Sequence, residues 1–114
     1  MISSEIIRGY IDTMILFVLI EGDSYGYSIL KRITELSQEE YTIKETTLYS
    51  AFSRLEKTGA ISSYPGEITH GKPRTYYKVS GIGIELYKQK CQEWSSVQKV
   101  ISNFIMEEVI NGNT

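Results

Sequence analysis

Apolar and polar positions follow a helical period over most of this chain and a strand period over one short stretch. Ile6, Ile7, Tyr10, Ile11 and Met14 recur three and four residues apart and run into a solid apolar block ending at Ile20. That spacing predicts a first helix from about Ser4 to Ile20. Glu21-Gly22-Asp23 follows, and Gly22 is expected to end the helix in the left-handed conformation. Asp23 or Ser24 should cap a second helix that turns Ile29, Leu30, Ile33 and Leu36 inward. Gln38-Glu39-Glu40 is a polar break. A third helix is expected from Lys44 or Glu45 to Gly59, with Leu48, Phe52 and Leu55 at i, i+4, i+7 and Ala51 beside them. Thr75, Tyr77 and Val79 alternate with Tyr76 and Lys78, so Arg74 to Val79 reads as a strand. Ile61 to Tyr64 is its partner across a polar loop from Pro65 to Pro73. Pro73 cannot donate a ladder bond, which suits a strand's first residue or an edge. Ser80 should cap a last helix reaching about Val109 or Ile110.

Three helices, a hairpin and a long helix, in that order, are the plan of a winged helix-turn-helix, mostly α with a small β-hairpin. The 114 residues suit one compact domain. Hydrophobic residues at 41% and charged residues at 23% exclude a disordered tail or an acidic linker. The apolar run from Met14 to Ile20 is far short of the roughly 20 residues a bilayer span needs, and the N-terminus lacks a basic flank. A cytoplasmic protein with no membrane partner is therefore expected.

The net charge of −2 gives no hint of nucleic acid until it is mapped. Between Lys44 and Lys78 there are six basic residues and three acidic ones, a net +3, and the remainder of the chain is −5. The basic residues are Lys44, Arg54, Lys57, Lys72, Arg74 and Lys78, gathered on the third helix and the hairpin. The outward face of that helix carries Thr46, Thr47, Tyr49, Ser50, Ser53, Arg54 and Lys57, hydroxyls and cations able to reach base edges or phosphates from a major groove. A solvated face with Arg54 paired to nearby Glu residues is the competing explanation. Lys72 and Arg74 beside Gly71 favour a wing that touches DNA.

Tyr25-Gly26-Tyr27-Ser28-Ile29, then Thr47-Leu48-Tyr49 with Arg54-Leu55-Glu56-Lys57-Thr58-Gly59-Ala60-Ile61, then Arg74-Thr75-Tyr76-Tyr77-Lys78-Val79 resemble the PadR family of bacterial transcriptional repressors. The match keeps the family's order and spacing over essentially the whole chain. The short chain with one long last helix is similar to the small PadR subfamily, which includes a multidrug-responsive repressor. Glu93-Trp94-Ser95-Ser96-Val97-Gln98-Lys99 is similar to the segment where that repressor carries a ligand-stacking tryptophan. The resemblance implies a homodimer that binds double-stranded operator DNA through the third helix and wing. It also implies release when a planar aromatic compound occupies the dimer interface. Residues 1–80 would form the DNA-binding domain and 81–114 the dimerisation helix. Three departures stand out: Thr46 replaces a frequent Gly, Pro73 and Thr75 flank Arg74 where a second basic residue is common, and Gln98 replaces an acidic residue.

Dimerisation also follows from the last helix itself. About 29 residues at 1.5 Å each make roughly 43 Å, longer than the domain it leaves. Trp94, Val97, Ile101 and Phe104 are spaced 3, 4, 3, with Val100 and Ile105 widening the stripe, and a second chain is the economical cover. Trp94 has two readings, a hydrophobic anchor of the interface or a ring wall for a planar ligand. Ile6, Thr13, Cys91, Val97 and Gln98 are its expected neighbours, because the first helix should meet this face. Cys91 also reads as a small buried apolar residue. The tyrosines Tyr25, Tyr27 and Tyr87 support packing or approach the DNA, and the sequence leaves both open.

No catalytic constellation emerges. His70 sits in a polar turn without an acid or nucleophile at a recognisable spacing. Gly81 and Gly83 open a helix without the preceding strand of a phosphate-binding motif. A single cysteine and a single histidine exclude an intrachain disulfide and make an all-Cys/His zinc site improbable. No cofactor, metal or enzyme activity is expected. Two alternatives remain: a dimeric winged helix that binds protein instead of DNA, and a DNA-binding repressor without a small-molecule ligand.

Overall fold

The structure is a computed structural model that describes residues 2–69 and 71–112. A short α1 (Ser4–Ile7) opens the chain, capped by the Ser3 hydroxyl, which accepts from the Ile6 N–H at 3.3 Å. A 3-10 turn over Arg8–Tyr10 then precedes α2 (Ile11–Glu21), so the expected single first helix is interrupted. Gly9 lies in that turn, and glycine inside a helix costs about 1 kcal/mol relative to alanine. The interruption falls where propensity is weakest.

Gly22 leaves α2 with an extended backbone, φ 161° and ψ 158°, rather than the left-handed one. The reason is a strand that periodicity missed. β1 (Ser24–Tyr25) pairs antiparallel with β3 (Lys72–Val79), Ser24 opposite Tyr77 and Tyr25 opposite Tyr76. Backbone pairing there displaces the expected cap. Tyr25 is the N-cap of α3 (Gly26–Leu36) and makes no side-chain capping bond, while the Asp23 carboxylate accepts from the Tyr64 hydroxyl at 2.6 Å.

The Ser37 hydroxyl ties down the connection that follows: its one proton lies within reach of the Thr34 carbonyl at 2.8 Å and the Tyr41 carbonyl at 3.1 Å, and its oxygen accepts from the Tyr41 N–H. α4 (Glu45–Lys57) is the expected third helix, and Gly59 follows its cap at φ 78°, left-handed as expected. β2 (Ile61–Thr69) and β3 are longer than the expected strands, because most of the expected polar loop joins the ladder. Pro65 lies opposite Thr75 and Ile68 opposite Pro73, with a bulge between. The sheet order is β1-β3-β2, so Pro65 sits on an edge strand and Pro73 lies beyond the reach of β1. His70, expected in the hairpin turn, lies outside the described residues. Gly71 beside it is left-handed at φ 77°.

The core gathers one face each of α2, α3 and α4. Ile15 and Leu16 of α2, Ile29 and Ile33 of α3, and Leu48, Ala51, Phe52 and Leu55 of α4 are all buried. Each Ile, Leu or Phe among them contributes about 1.5–3 kcal/mol of burial. Leu36, expected inward, is half exposed, whereas the isolated Ile43 is fully buried in the α3–α4 connection. Phe52 stacks on Tyr77 of β3 with ring centroids 4.1 Å apart. This is a winged helix-turn-helix: α3 and α4 form the helix pair and the β2–β3 hairpin forms the wing.

α5 (Gly81–Ile101) starts as expected, with the Ser80 hydroxyl accepting from the Gly83 N–H at 3.1 Å. It ends eight residues or more before the expected Val109 or Ile110. Ser102 and Asn103 side chains compete for backbone groups, and the Ser102 hydroxyl donates to the Lys99 carbonyl. A 3-10 turn over Glu107–Val109 follows. The 21 residues of α5 span about 32 Å rather than 43 Å, so Phe104 and Ile105 do not continue the helical stripe. No helix among the described residues is long and apolar enough to cross a membrane.

The joint between wing and α5 depends on Gly83. It is buried, and a Cβ there would overlap the Ala60 carbonyl oxygen and the Val79 side chain. That carbonyl already accepts from the Ser80 N–H at 2.9 Å, and the Ser80 hydroxyl sits between it and the Gly59 carbonyl. It has no room to give. Gly83→Ala should therefore lose about 1–3 kcal/mol and lower the melting temperature in a thermal unfolding scan. Gly81→Ala, which meets open space, is the control and should leave that temperature nearly unchanged.

Candidate nucleic-acid interface

The amphipathic α4 buries Leu48, Ala51, Phe52 and Leu55 and leaves Thr46, Tyr49, Ser50, Ser53, Arg54 and Lys57 exposed, with Thr47 half buried. The expected outward face is therefore one continuous surface. Thr46, Thr47, Ser50 and Arg54 line a depression of about 240 Å³ together with Arg8 and Ile11. Arg8 was not legible as a neighbour, because the 3-10 turn that carries it lies far from α4 in sequence.

Arg54 is paired, but with Asp12 of α2 and not with a glutamate. Its Nη2 lies 2.5 Å from Oδ1 and its Nε 3.4 Å from Oδ2. The Asp12 hydrogen bond raises the guanidinium's pKa above its ordinary value. Among the described residues Lys57, Lys72 and Arg74 have no ion-pair partner, and their charge faces outward uncompensated.

A row of tyrosines crosses the face of the sheet turned away from α4. Tyr64, Tyr76 and Tyr25 are directly paired across three strands, so their rings lie on one face of the sheet. Tyr64 and Tyr76 stack at 5.8 Å, and Tyr76 and Tyr25 are tilted at 5.4 Å. Gly66, in the bulge, makes space for the Tyr76 ring, which a Cβ would strike. At the row's end the Arg74 guanidinium carbon sits 4.1 Å from the centre of the Tyr25 ring. A cation held on an aromatic face gains about 0.5–1 kcal/mol at exposed sites, and here it also fixes where Arg74 points.

That side chain lines a second depression, of about 400 Å³, with Tyr25, Gly26, Tyr27, Tyr49, Pro73, Thr75 and Tyr77. Tyr49 packs edge-on against Phe52 at 5.4 Å, and its hydroxyl lies where a side chain on Gly26 would be. Tyr25 and Tyr27 thus border the expected DNA surface. Tyr87 does not: it packs against Phe17 at 6.3 Å, and burial raises its pKa. Periodicity could not separate these tyrosines, because β1 decides which face Tyr25 takes.

The expected ligand-site residues are only partly gathered. Trp94 is 45% exposed and meets Tyr10 edge-on at 5.3 Å. Cys91 is exposed on α5, not a buried apolar residue. Residues 91–100 of α5 are all exposed. Ile6 is exposed, as are Val97 and Gln98. Thr13 instead lines an apolar groove of about 360 Å³ with Met14, Phe17, Ile33, Leu36, Ser37 and Tyr87. Among the described residues no group of three or more His, Cys, Asp or Glu is placed to hold a metal.

The model of the transcriptional regulator PadR-like family matches residues 15–89. A solved transcriptional regulator from Clostridium thermocellum is 59% identical, with a TM-score of 0.86, covering 93% of this chain and 100% of that one. A PadR family transcription regulator from hypervirulent Clostridium difficile R20291 is 36% identical, with a TM-score of 0.74 over 86% of this chain and 100% of that one. An uncharacterized protein of Lysinibacillus sphaericus is 38% identical over 105 residues, 92% of this chain and 96% of that protein. The winged helix with its basic reading face is thus a DNA-binding regulator of transcription rather than an enzyme. The chain belongs to the PadR-like family.

If the Tyr25 ring holds Arg74 in place, Tyr25→Leu should weaken DNA binding nearly as much as Arg74→Ala, while Tyr25→Phe keeps the ring face and should bind like wild type. Fluorescence-anisotropy titrations of labelled duplex measure all three.

Proposed function

We propose that the protein is a homodimeric transcriptional repressor whose α4 enters the major groove of operator DNA while the wing grips the flanking backbone. One observation carries this reading: in an acidic chain the stretch from Lys44 to Lys78 is net positive, and Lys57, Lys72 and Arg74, which have no ion-pair partner among the described residues, lie on the reading helix and the adjacent wing. Each phosphate neutralised by such a cation releases counterion and adds affinity. Thr46, Thr47, Tyr49, Ser50, Ser53 and Arg54 supply the directional donors and acceptors that base edges require. Residues 1–80 form the DNA-binding domain, residues 81–114 the dimerisation element, and the protein works in the cytoplasm.

The dimer is supported by shape and exposure. The protomer measures 64 × 28 × 21 Å, and the outer half of α5 carries Trp94, Val97, Val100 and Ile101 exposed. Phe104 and Ile105 beyond the helix are more exposed still. A patch of this size calls for a partner, and a second copy offers the same surface in return. In this reading Trp94, Val97, Ile101, Phe104 and Ile105 form the interface.

A planar aromatic effector would sit against Trp94, with Gln98, Val97, Cys91, Thr13 and Ile6 nearby, and release the operator. The edge-on contact of Trp94 with Tyr10 favours a second reading, in which Trp94 is a structural anchor and no small molecule is involved.

Titration onto the DNA upstream of its own gene, against a scrambled duplex, tests the central claim. Binding should prefer the upstream fragment and fall log-linearly with salt. Lys72→Ala should weaken binding to both duplexes and flatten that slope by about one unit. A salt-insensitive association with neither duplex preferred would point to a protein-binding winged helix instead.

Trp94 is the single tryptophan, so its fluorescence reports the effector directly. Quenching by planar aromatic compounds, lost together with effector-driven DNA release in a Trp94→Ala protein that remains dimeric in sedimentation, supports the sensor. Flat titrations across a varied panel leave Trp94 as an anchor.

A further inference from the structure

We propose that Asp12 is a positioning residue of the DNA-reading surface: it holds Arg54 in one orientation, sacrificing non-specific phosphate affinity for sequence discrimination. This rests on the DNA-binding reading above. A guanidinium has five N–H donors in a rigid plane. The Asp12 carboxylate accepts from Nη2 and Nε, which occupies two of them and leaves three. Those three include both hydrogens of Nη1, on the opposite edge of the fork.

Exposure fits this orientation. The Asp12 side chain is only 19% exposed, whereas Arg54 remains 56% exposed. The carboxylate lies behind the guanidinium, so DNA approaching α4 meets the cation's free edge first. Asp12 is itself fixed, because it occupies the first turn of α2, where the helix dipole favours negative charge. Thr46, Thr47 and Ser50 share the depression with Arg54, so its free donors emerge among hydroxyls on the outward face of α4.

Charge divides the work among the cations. Paired with Asp12, Arg54 adds almost no net charge and little counterion release. Lys57, Lys72 and Arg74 remain to provide the salt-sensitive grip. An arginine held by a carboxylate has also lost much of its rotamer freedom before DNA arrives, so less is lost on binding. Such a side chain is suited to a fixed pair of base-edge acceptors, as guanine O6 and N7 present them.

The experiment first selects the preferred duplex from a randomised library with the full-length protein. Affinities for that duplex and a scrambled one are then measured at three salt concentrations for wild type, Asp12→Asn, Asp12→Glu, Arg54→Ala and Asp12→Asn with Arg54→Ala. Asp12→Asn should bind scrambled DNA more tightly, with a salt slope steeper by about one phosphate contact, and lose about tenfold in discrimination. On the Arg54→Ala background the same change should leave discrimination where Arg54→Ala alone puts it. Asp12→Glu retains the charge but displaces it. It should keep the wild-type salt slope with reduced discrimination, and this variant decides the matter if Asp12→Asn fails to fold. Unchanged discrimination in the Asp12 variants overturns the proposal, as does an equal loss with and without Arg54. A library that yields no preferred duplex for wild type removes the DNA-reading premise itself, before any variant is measured.

Discussion

The stack of Phe52 on Tyr77 is the joint on which the rest of the structure depends. Phe52 belongs to the reading helix and Tyr77 to the central strand of the wing, and both are buried. An aromatic pair at 4.1 Å between ring centroids contributes about 0.5–1.5 kcal/mol beyond its buried area. Its larger effect is geometric. Tyr77 is also the residue opposite Ser24 and Ser63 in the sheet, so the stack fixes α4 against all three strands at once. Tyr49, one helical turn before Ser53, leans edge-on against the same Phe52 ring. The outward face of α4 takes its direction from the way its inward face is locked.

The opposite face of the sheet orients the wing. Pairing alternates side chains across a strand, so burying Tyr77 forces Tyr76 outward, beside Tyr25 and Tyr64. The row ends on the Asp23 carboxylate at one side and the Arg74 guanidinium at the other. Hydrogen bonding to Asp23 raises the pKa of Tyr64 above its ordinary value, so its hydroxyl stays a donor. The same choice of register that packs the core therefore builds the platform under Arg74.

Features carried by local periodicity were legible in the sequence. The α4 stripe, the alternation of β3 and the Ser80 cap each follow from residues within one or two turns of one another. Features set by distant partners were not. β1 is two residues long and exists only because β3 lies beside it. The bulge at Gly66 reflects the Tyr76 ring, ten residues on. Asp12 and Arg54 are 42 residues apart, so nothing in either segment marks them as a pair. The last helix failed differently: its apolar stripe continues past Ile101, but Ser102 and Asn103 break the backbone first. The stripe marked apolar surface correctly and helix length incorrectly.

The N-terminal segment meets both α5 and the reading helix within one turn of backbone. Tyr10 rests against Trp94, and two residues later Asp12 holds Arg54. Tyr10 is also where the 3-10 turn passes into α2, with φ −112° and ψ 0°. Residues two apart in a helix lie about 200° apart around its axis, so Tyr10 and Asp12 face opposite ways and reach two different neighbours, α5 and α4. One short stretch of the N-terminal segment therefore ties together α5, which carries the exposed apolar surface, and α4, which carries the reading face.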